Sequence, residues 1–152
     1  MSSCLKTCIP IIALSLSSLI AHAGDESIGH IKTLKGSAFI ERSGQVIAVT
    51  PGQEVYGQDS IRTGAEGSVG LLFLDDSRVA IGPNSRIALD SFNFDRKTHD
   101  GDFGMSLKQG TLSAIAGKLT EKNPGAMKVK TPAAILAVRG TEFSVKVPPT
   151  QE

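Results

Sequence analysis

Apolar residues along most of this chain recur at every second position, in short runs bounded by Gly, Pro, Asn or Asp. A period of two places alternate side chains on opposite faces of an extended strand, so the pattern predicts strands and not helices. The last run shows it most cleanly. From Thr141 to Val147, Phe143, Val145 and Val147 share one face while Glu142, Ser144 and Lys146 share the other, and Pro148-Pro149 ends the element. Val69, Leu71 and Phe73 alternate in the same way, and Leu72 and Leu74 fill the opposite face, which predicts a central strand covered on both sides.

Asp75-Asp76-Ser77 is a turn by its side-chain chemistry, Val79 and Ile81 resume the alternation, and Gly82-Pro83-Asn84 breaks it again. The core phase continues through Ile87 and Leu89 but moves to even positions at Phe92 and Phe94, so the register slips by one near Asp90-Ser91, as a β-bulge or a corner would cause. A polar loop from Asp95 to Asp102 follows. Phe103, Met105 and Leu107 then alternate, Gln109-Gly110 is expected to turn, and Leu112, Ala114 and Ala116 follow. A second polar loop is expected from Gly117 to Gly125. The segment Pro132 to Val138 contains good helix formers but is short for a helix, and is read as an irregular turn into a strand. The fold class is therefore all-β, either a short β-solenoid (a β-helix-like stack) or a β-sandwich of many short strands; periodicity does not separate the two.

The N-terminus changes the picture by removing itself. One basic residue, Lys6, precedes an apolar stretch from Ile9 to Ile20 that ends in Ala21-His22-Ala23, a small-x-small cleavage signal. The stretch is too short and too rich in serine to span a bilayer, which needs about 20 apolar residues. Residues 1–23 are read as a cleaved signal peptide, residues 24–147 as one all-β domain and residues 148–152 as a short tail. The expected location is periplasmic or secreted, with no transmembrane segment in the mature chain. Both cysteines, Cys4 and Cys8, leave with the peptide, so no disulfide is available to the product.

Charge excludes more than it suggests. The 16 Lys and Arg include Lys6, and stand against 15 Asp and Glu, so the processed chain carries no net charge. With 6 Phe, 1 Tyr and no Trp, and no basic stripe, there is no provision for binding nucleic acid.

Three blocks of the mature chain carry a resemblance: Gly57-Gln58-Asp59-Ser60-Ile61-Arg62-Thr63-Gly64, Phe73-Leu74-Asp75-Asp76-Ser77, and Val129-Lys130-Thr131-Pro132 through Val138-Arg139-Gly140-Thr141-Glu142-Phe143. Together with Gly36 to Ile40 and Leu107 to Ala116, in this order, they resemble the FecR domain family. The resemblance implies an all-β periplasmic module of strands coiled in a short helix-like stack, used for interaction and not for catalysis. In the family's membrane-spanning members it implies a relay from an outer-membrane receptor to a sigma factor. No cytoplasmic or transmembrane part of such a relay is expected here, and Asp76 stands where the family pattern has glycine. The residues singled out as family motif are Asp59, Thr63, Gly64, Asp75, Ser77, Arg139, Gly140 and Thr141.

Arg139 lies inside an apolar run, where an unpaired cation would be costly; it is expected to be buried in an ion pair that fastens two turns of the fold, with Asp59 or Asp75 as partner. A ligand-binding arginine is the other reading. Asp95, His99, Asp100 and Asp102 supply oxygen and nitrogen atoms around Gly101, but without a bidentate glutamate at calcium-loop spacing they are read as a solvated loop shared with Arg96 and Lys97. No nucleophile elbow, mature cysteine, phosphate loop or metal-ligand spacing is present, and only His30 and His99 survive as bases. Ser3 and Lys6 match a penicillin-binding pattern by letters alone, within the discarded peptide. The expectation is a non-enzymatic binding module with no catalytic, cofactor or metal site, whose partner is another envelope protein or a glycan. The alternative is a structural or self-assembling envelope protein.

Overall fold

The structure is a computed structural model and describes residues 26–149; the signal-peptide expectation falls outside them. The described chain is all-β apart from one short helix. Its elements are β1 (Ser27–Lys35), β2 (Ala38–Arg42), β3 (Gln45–Ala48), β4 (Glu54–Tyr56), β5 (Ser60–Thr63), β6 (Ser68–Phe73), β7 (Arg78–Ile81), β8 (Arg86–Phe94), β9 (Gly101–Ile115), α1 (Lys118–Lys122), β10 (Met127–Lys130), β11 (Ile135–Ala137) and β12 (Glu142–Val147). Among the described residues no helix is long and apolar enough to cross a membrane.

Strand β9 organises the whole. Its first half, up to Gln109, pairs with β8 on one side and β10 on the other, while its second half pairs with β7 and β12. Two sheets grow from it. The first runs β4-β1-β6-β7-β9-β12 and the second β3-β2-β5-β8-β9-β10-β11. Every ladder is antiparallel except β9–β10. A stack of coils would pair parallel strands, so of the two all-β arrangements left open above the chain takes the one in which curled antiparallel sheets face each other.

The alternation seen in the sequence maps onto this core. Ile31, Leu71, Ile81 and Leu112 from the first sheet meet Ile40, Ile61, Ile87, Leu89 and Met105 from the second, all at most 1 % exposed. Each such side chain stabilises the fold by roughly 1.5–3 kcal/mol relative to exposure. Phe73 reaches across the sheets to meet Phe103 edge-on with ring centroids 4.5 Å apart, and Phe92 meets the same ring at 5.0 Å. Phe92 and Phe94 reach that cluster because the β8–β9 register shifts between Leu89 and Ser91, where the change of phase falls in the sequence.

Three local expectations are corrected. Gln109-Gly110 does not reverse the chain: β9 continues through it and only bends, which is how one strand serves two sheets. Gly110 has φ +96° there, and a Cβ would overlap Ser85. Strand β6 is central within its sheet, but Leu72 and Leu74 are half-buried, since no layer covers that outer face. The second polar loop contains α1, held down by Leu119, a single buried apolar residue among polar neighbours.

Candidate functional site

Among the described residues, the buried polar side chains serve corners between strands, except Thr120, whose hydroxyl donates to the Gly117 carbonyl at the start of α1. Asp59, fully buried, ends the turn from β4 into β5 and accepts two hydrogen bonds from Arg42 at the end of β2, Nε to Oδ1 and Nη2 to Oδ2, both 2.7 Å. The backbone N–H of Tyr56 donates to Oδ2 at 2.9 Å. The guanidinium lies over the Tyr56 ring, 4.3 Å from its centroid, and donates to the Glu54 carbonyl. The hydrogen bond to Asp59 holds the Arg42 guanidinium above its ordinary value against the opposing effect of burial. At the edge of the cluster, the hydrogen bond from the Tyr56 hydroxyl to Glu54 raises the Tyr56 phenol.

Thr63 and Gly64 close a second corner. The Thr63 hydroxyl donates to the Gly82 carbonyl at 2.7 Å and accepts from the Ser85 N–H at 2.9 Å, and the Gly64 carbonyl accepts from the Asn84 N–H at 3.0 Å. In the third, Asp75 is buried in the β6–β7 turn and accepts from the Ser77 N–H at 3.1 Å and the Ser77 hydroxyl at 2.5 Å. The Ser77 oxygen accepts in turn from the Gly117 N–H at 2.9 Å, tying this turn to the start of α1. A Cβ at Gly117 would collide with this turn's backbone. Asp76 takes the left-handed conformation, φ +66°, and pairs with Lys118 at 2.7 Å; that contact depresses the Asp76 carboxyl and raises the Lys118 ammonium.

Arg139 is not in any of these corners. It is exposed, together with Gly140 and Thr141, where the chain leaves β11 in the second sheet and crosses to β12 in the first. Both expected partners are taken, Asp59 by Arg42 and Asp75 by Ser77, and Arg139 forms no ion pair among the described residues. The three residues line a shallow cleft of about 250 Å³ with Ala116, Thr120, Glu121 and Pro124. Sequence reasoning missed Arg42 because it ends a strand without any motif; its position before the Ser43-Gly44 turn was the only local signal.

The acidic loop is spent locally. Asp95 accepts from the N–H groups of Lys97 and Thr98, which depress its carboxyl; Asp100 faces Lys122, and Asp102 accepts from Asn93 and Ser91. No group of three or more His, Cys, Asp or Glu converges among the described residues. Nor does any buried side-chain nitrogen or oxygen among them lack a hydrogen-bond partner.

What the molecule exposes is apolar strand edge. Of the four large hydrophobic residues most exposed among the described residues, Val46 lies on β3 and Ile135 and Leu136 on β11, the two ends of the second sheet; Ile115 on β9 is the fourth.

Buried carboxylates spent on corners and an open sheet define an all-β module built for shape. A family profile described as "FecR protein" matches residues 59–151, more than half of the chain, and the chain belongs to that family. A solved structure described as a "Cell surface anchoring domain" is 32% identical, covering 40% of this chain and 82% of its own, with a TM-score of 0.39. No match is found among the curated proteins.

Proposed function

We propose that this chain is a non-enzymatic interaction module of the cell envelope, processed after Ala23 and binding another envelope protein or a glycan from the periplasmic or outer side. Membership of the FecR family supports an envelope role. The observation that carries the reading is the disposition of polar chemistry: Asp59 and Asp75, the buried carboxylates, are committed to Arg42 and Ser77 inside corners and face no cleft where a substrate could meet them. The exposed apolar residues, by contrast, concentrate on strand edges. The test is crosslinking of the exported protein in intact cells followed by identification of the adducts. A discrete, saturable adduct is expected, and none above background contradicts the reading.

Self-assembly is the second reading. The end strands of the second sheet, β3 and β11, carry no charged residue, and uncharged edges pair readily with further strands. Sedimentation velocity across a range of concentrations separates the two: a monomer throughout favours a partner of another kind, and growth with concentration favours copies of the same chain.

A further inference from the structure

We propose that the free edge of β11 is the docking edge, and that it accepts an extended segment bearing acidic side chains, added as a further strand to the second sheet. The proposal rests on the interaction-module reading and names the surface and the chemistry of the partner.

The backbone geometry specifies an extended ligand. Strand β11 pairs with β10 on one side only, with Leu136 opposite Val129, and the flanking bonds Val138 N–H to Met127 and Thr131 N–H to Ala134 set the phase of the ladder. In that phase Leu136 and Val138 bond inward, while the N–H and C=O groups of Ile135 and Ala137 point away from the sheet. These are the groups to which a strand adds. Ile135 is 68% exposed, and Pro132, Ala133, Ala134 and Ala137 around it are exposed as well.

Charge selects among the edges. Strand β12 carries Glu142 and Lys146 and runs into Pro148-Pro149, and β4 carries Glu54, so both edges of the first sheet are guarded. Behind β3, Glu41 is paired with Arg62 at 3.7 Å. Along the segment that carries β10 and β11 the charge is of one sign, and the carboxylates on the neighbouring strands, Asp90 on β8 and Asp102 on β9, are hydrogen-bonded to Ser106 and to Ser91 and Asn93. Residues 122–141 include Lys122, Lys128, Lys130 and Arg139 and no acidic residue. Lys122 meets Asp100, whereas Lys128, Lys130 and Arg139 form no ion pair among the described residues. Lys128 stands opposite Ala137 and Lys130 opposite Ile135, on the outer face. An added strand lies two spacings from β10, about 9.5 Å, within reach of a lysine and a glutamate extended toward each other across small Ala137. Its alternate side chains would then be acidic toward this face.

Among the described residues, the edge strands of a second copy offer no such strand. Its β3 has no acidic residue, β4 has one, and the one on β12 is accompanied by Lys146.

The experiment uses the mature protein and two capped heptapeptides, Val-Glu-Val-Glu-Val-Glu-Val and its counterpart with Lys in place of Glu, followed by anisotropy. At least tenfold tighter binding of the acidic peptide is expected, with inversion of that preference in the Lys128→Glu/Lys130→Glu double variant. Ala137→Pro removes an outward N–H without touching the β10 ladder, and is expected to weaken the acidic peptide at least tenfold. Equal binding of both peptides overturns the proposal, as does an acidic preference that survives the charge reversal. Should Ala137→Pro not fold, the charge reversal on two exposed lysines decides alone. An oligomer of the mature chain that Ala137→Pro dissolves also overturns it, in favour of a second copy. In intact cells, an adduct retained by Ala137→Pro refutes the edge and leaves the module reading standing, whereas no adduct from the unaltered protein refutes the module reading itself.

Discussion

Arg42 and Asp59 meet in a two-pronged ion pair that joins the end of β2 to the start of β5, and Asp59 is the first residue of the family match while Arg42 lies outside it. The pair thus ties the matched region to the strands before it. Removing Arg42 leaves the Asp59 carboxylate buried with only the Tyr56 N–H. A fully buried pair broken in this way costs about 3–5 kcal/mol. Because the Arg42 side chain is 32% exposed, Arg42→Ala is expected to cost less, about 2 kcal/mol after discounting for screening. Arg139→Ala, by contrast, is expected to stay within about 0.5 kcal/mol. Urea midpoints of the two variants check both values, and equal losses would contradict the assignment of the ion pair.

Ser77 is the hinge of a longer connection, since its hydroxyl serves Asp75 on one side and Gly117 on the other. Ser77→Ala strands a buried carboxylate oxygen and a buried N–H together. A loss of about 2–3 kcal/mol is expected, larger than a surface serine would give. Thermal unfolding monitored by circular dichroism measures it.

At Gly110 the bend of β9 places the chain where a side chain would run into Ser85, at a φ that L-residues rarely adopt. Gly110→Ala is expected to destabilise by more than about 2 kcal/mol, combining left-handed strain with overpacking. Gly44→Ala is the control for strain alone, because its φ is also positive, +79°, and nothing lies within 4 Å of its would-be Cβ. A smaller loss at Gly44 is expected, and comparable losses would deny the close crossing.

The acid limb of stability has a defined sign. The Asp76 carboxyl is depressed first by its hydrogen bond to Lys118, and the Asp95 carboxyl by the N–H groups of Thr98 and Lys97. A depressed folded value stabilises above the unfolded carboxylate value, about 3.9, and that contribution disappears as pH falls through the folded value. The urea midpoint is therefore expected to fall as pH drops from about 5 toward 2. Asp95→Asn should flatten the decline, and an unchanged slope would contradict the role of this carboxylate.

The strands were legible where one face is buried and the other wet. Phe143, Val145 and Val147 turn toward the core, half-buried, while Glu142, Ser144 and Lys146 alternate with them, as their spacing implies. The slip at Asp90-Ser91 was legible for the same reason, since a bulge reverses which face is apolar. Gln109-Gly110 misled because a glycine marks a backbone freedom without saying whether the chain reverses or bends. Arg139 misled differently. A cation after Ile135, Leu136, Ala137 and Val138 reads as buried only if that apolar run is core, and here Val138 alone is buried while Ile135, Leu136 and Ala137 form an exposed edge. Pairing partners such as Arg42 and Asp59 are set by long-range register, which no local pattern carries.

The measurement closest to the central claim is residue-resolved amide exchange on the isolated mature protein. With β11 as an open edge, Ile135 and Ala137 are expected to exchange orders of magnitude faster than Leu136 and Val138, which bond to β10. Uniform protection from Ile135 through Val138 in a monomer would mean that the edge is already covered, and would contradict a module that offers it to a partner.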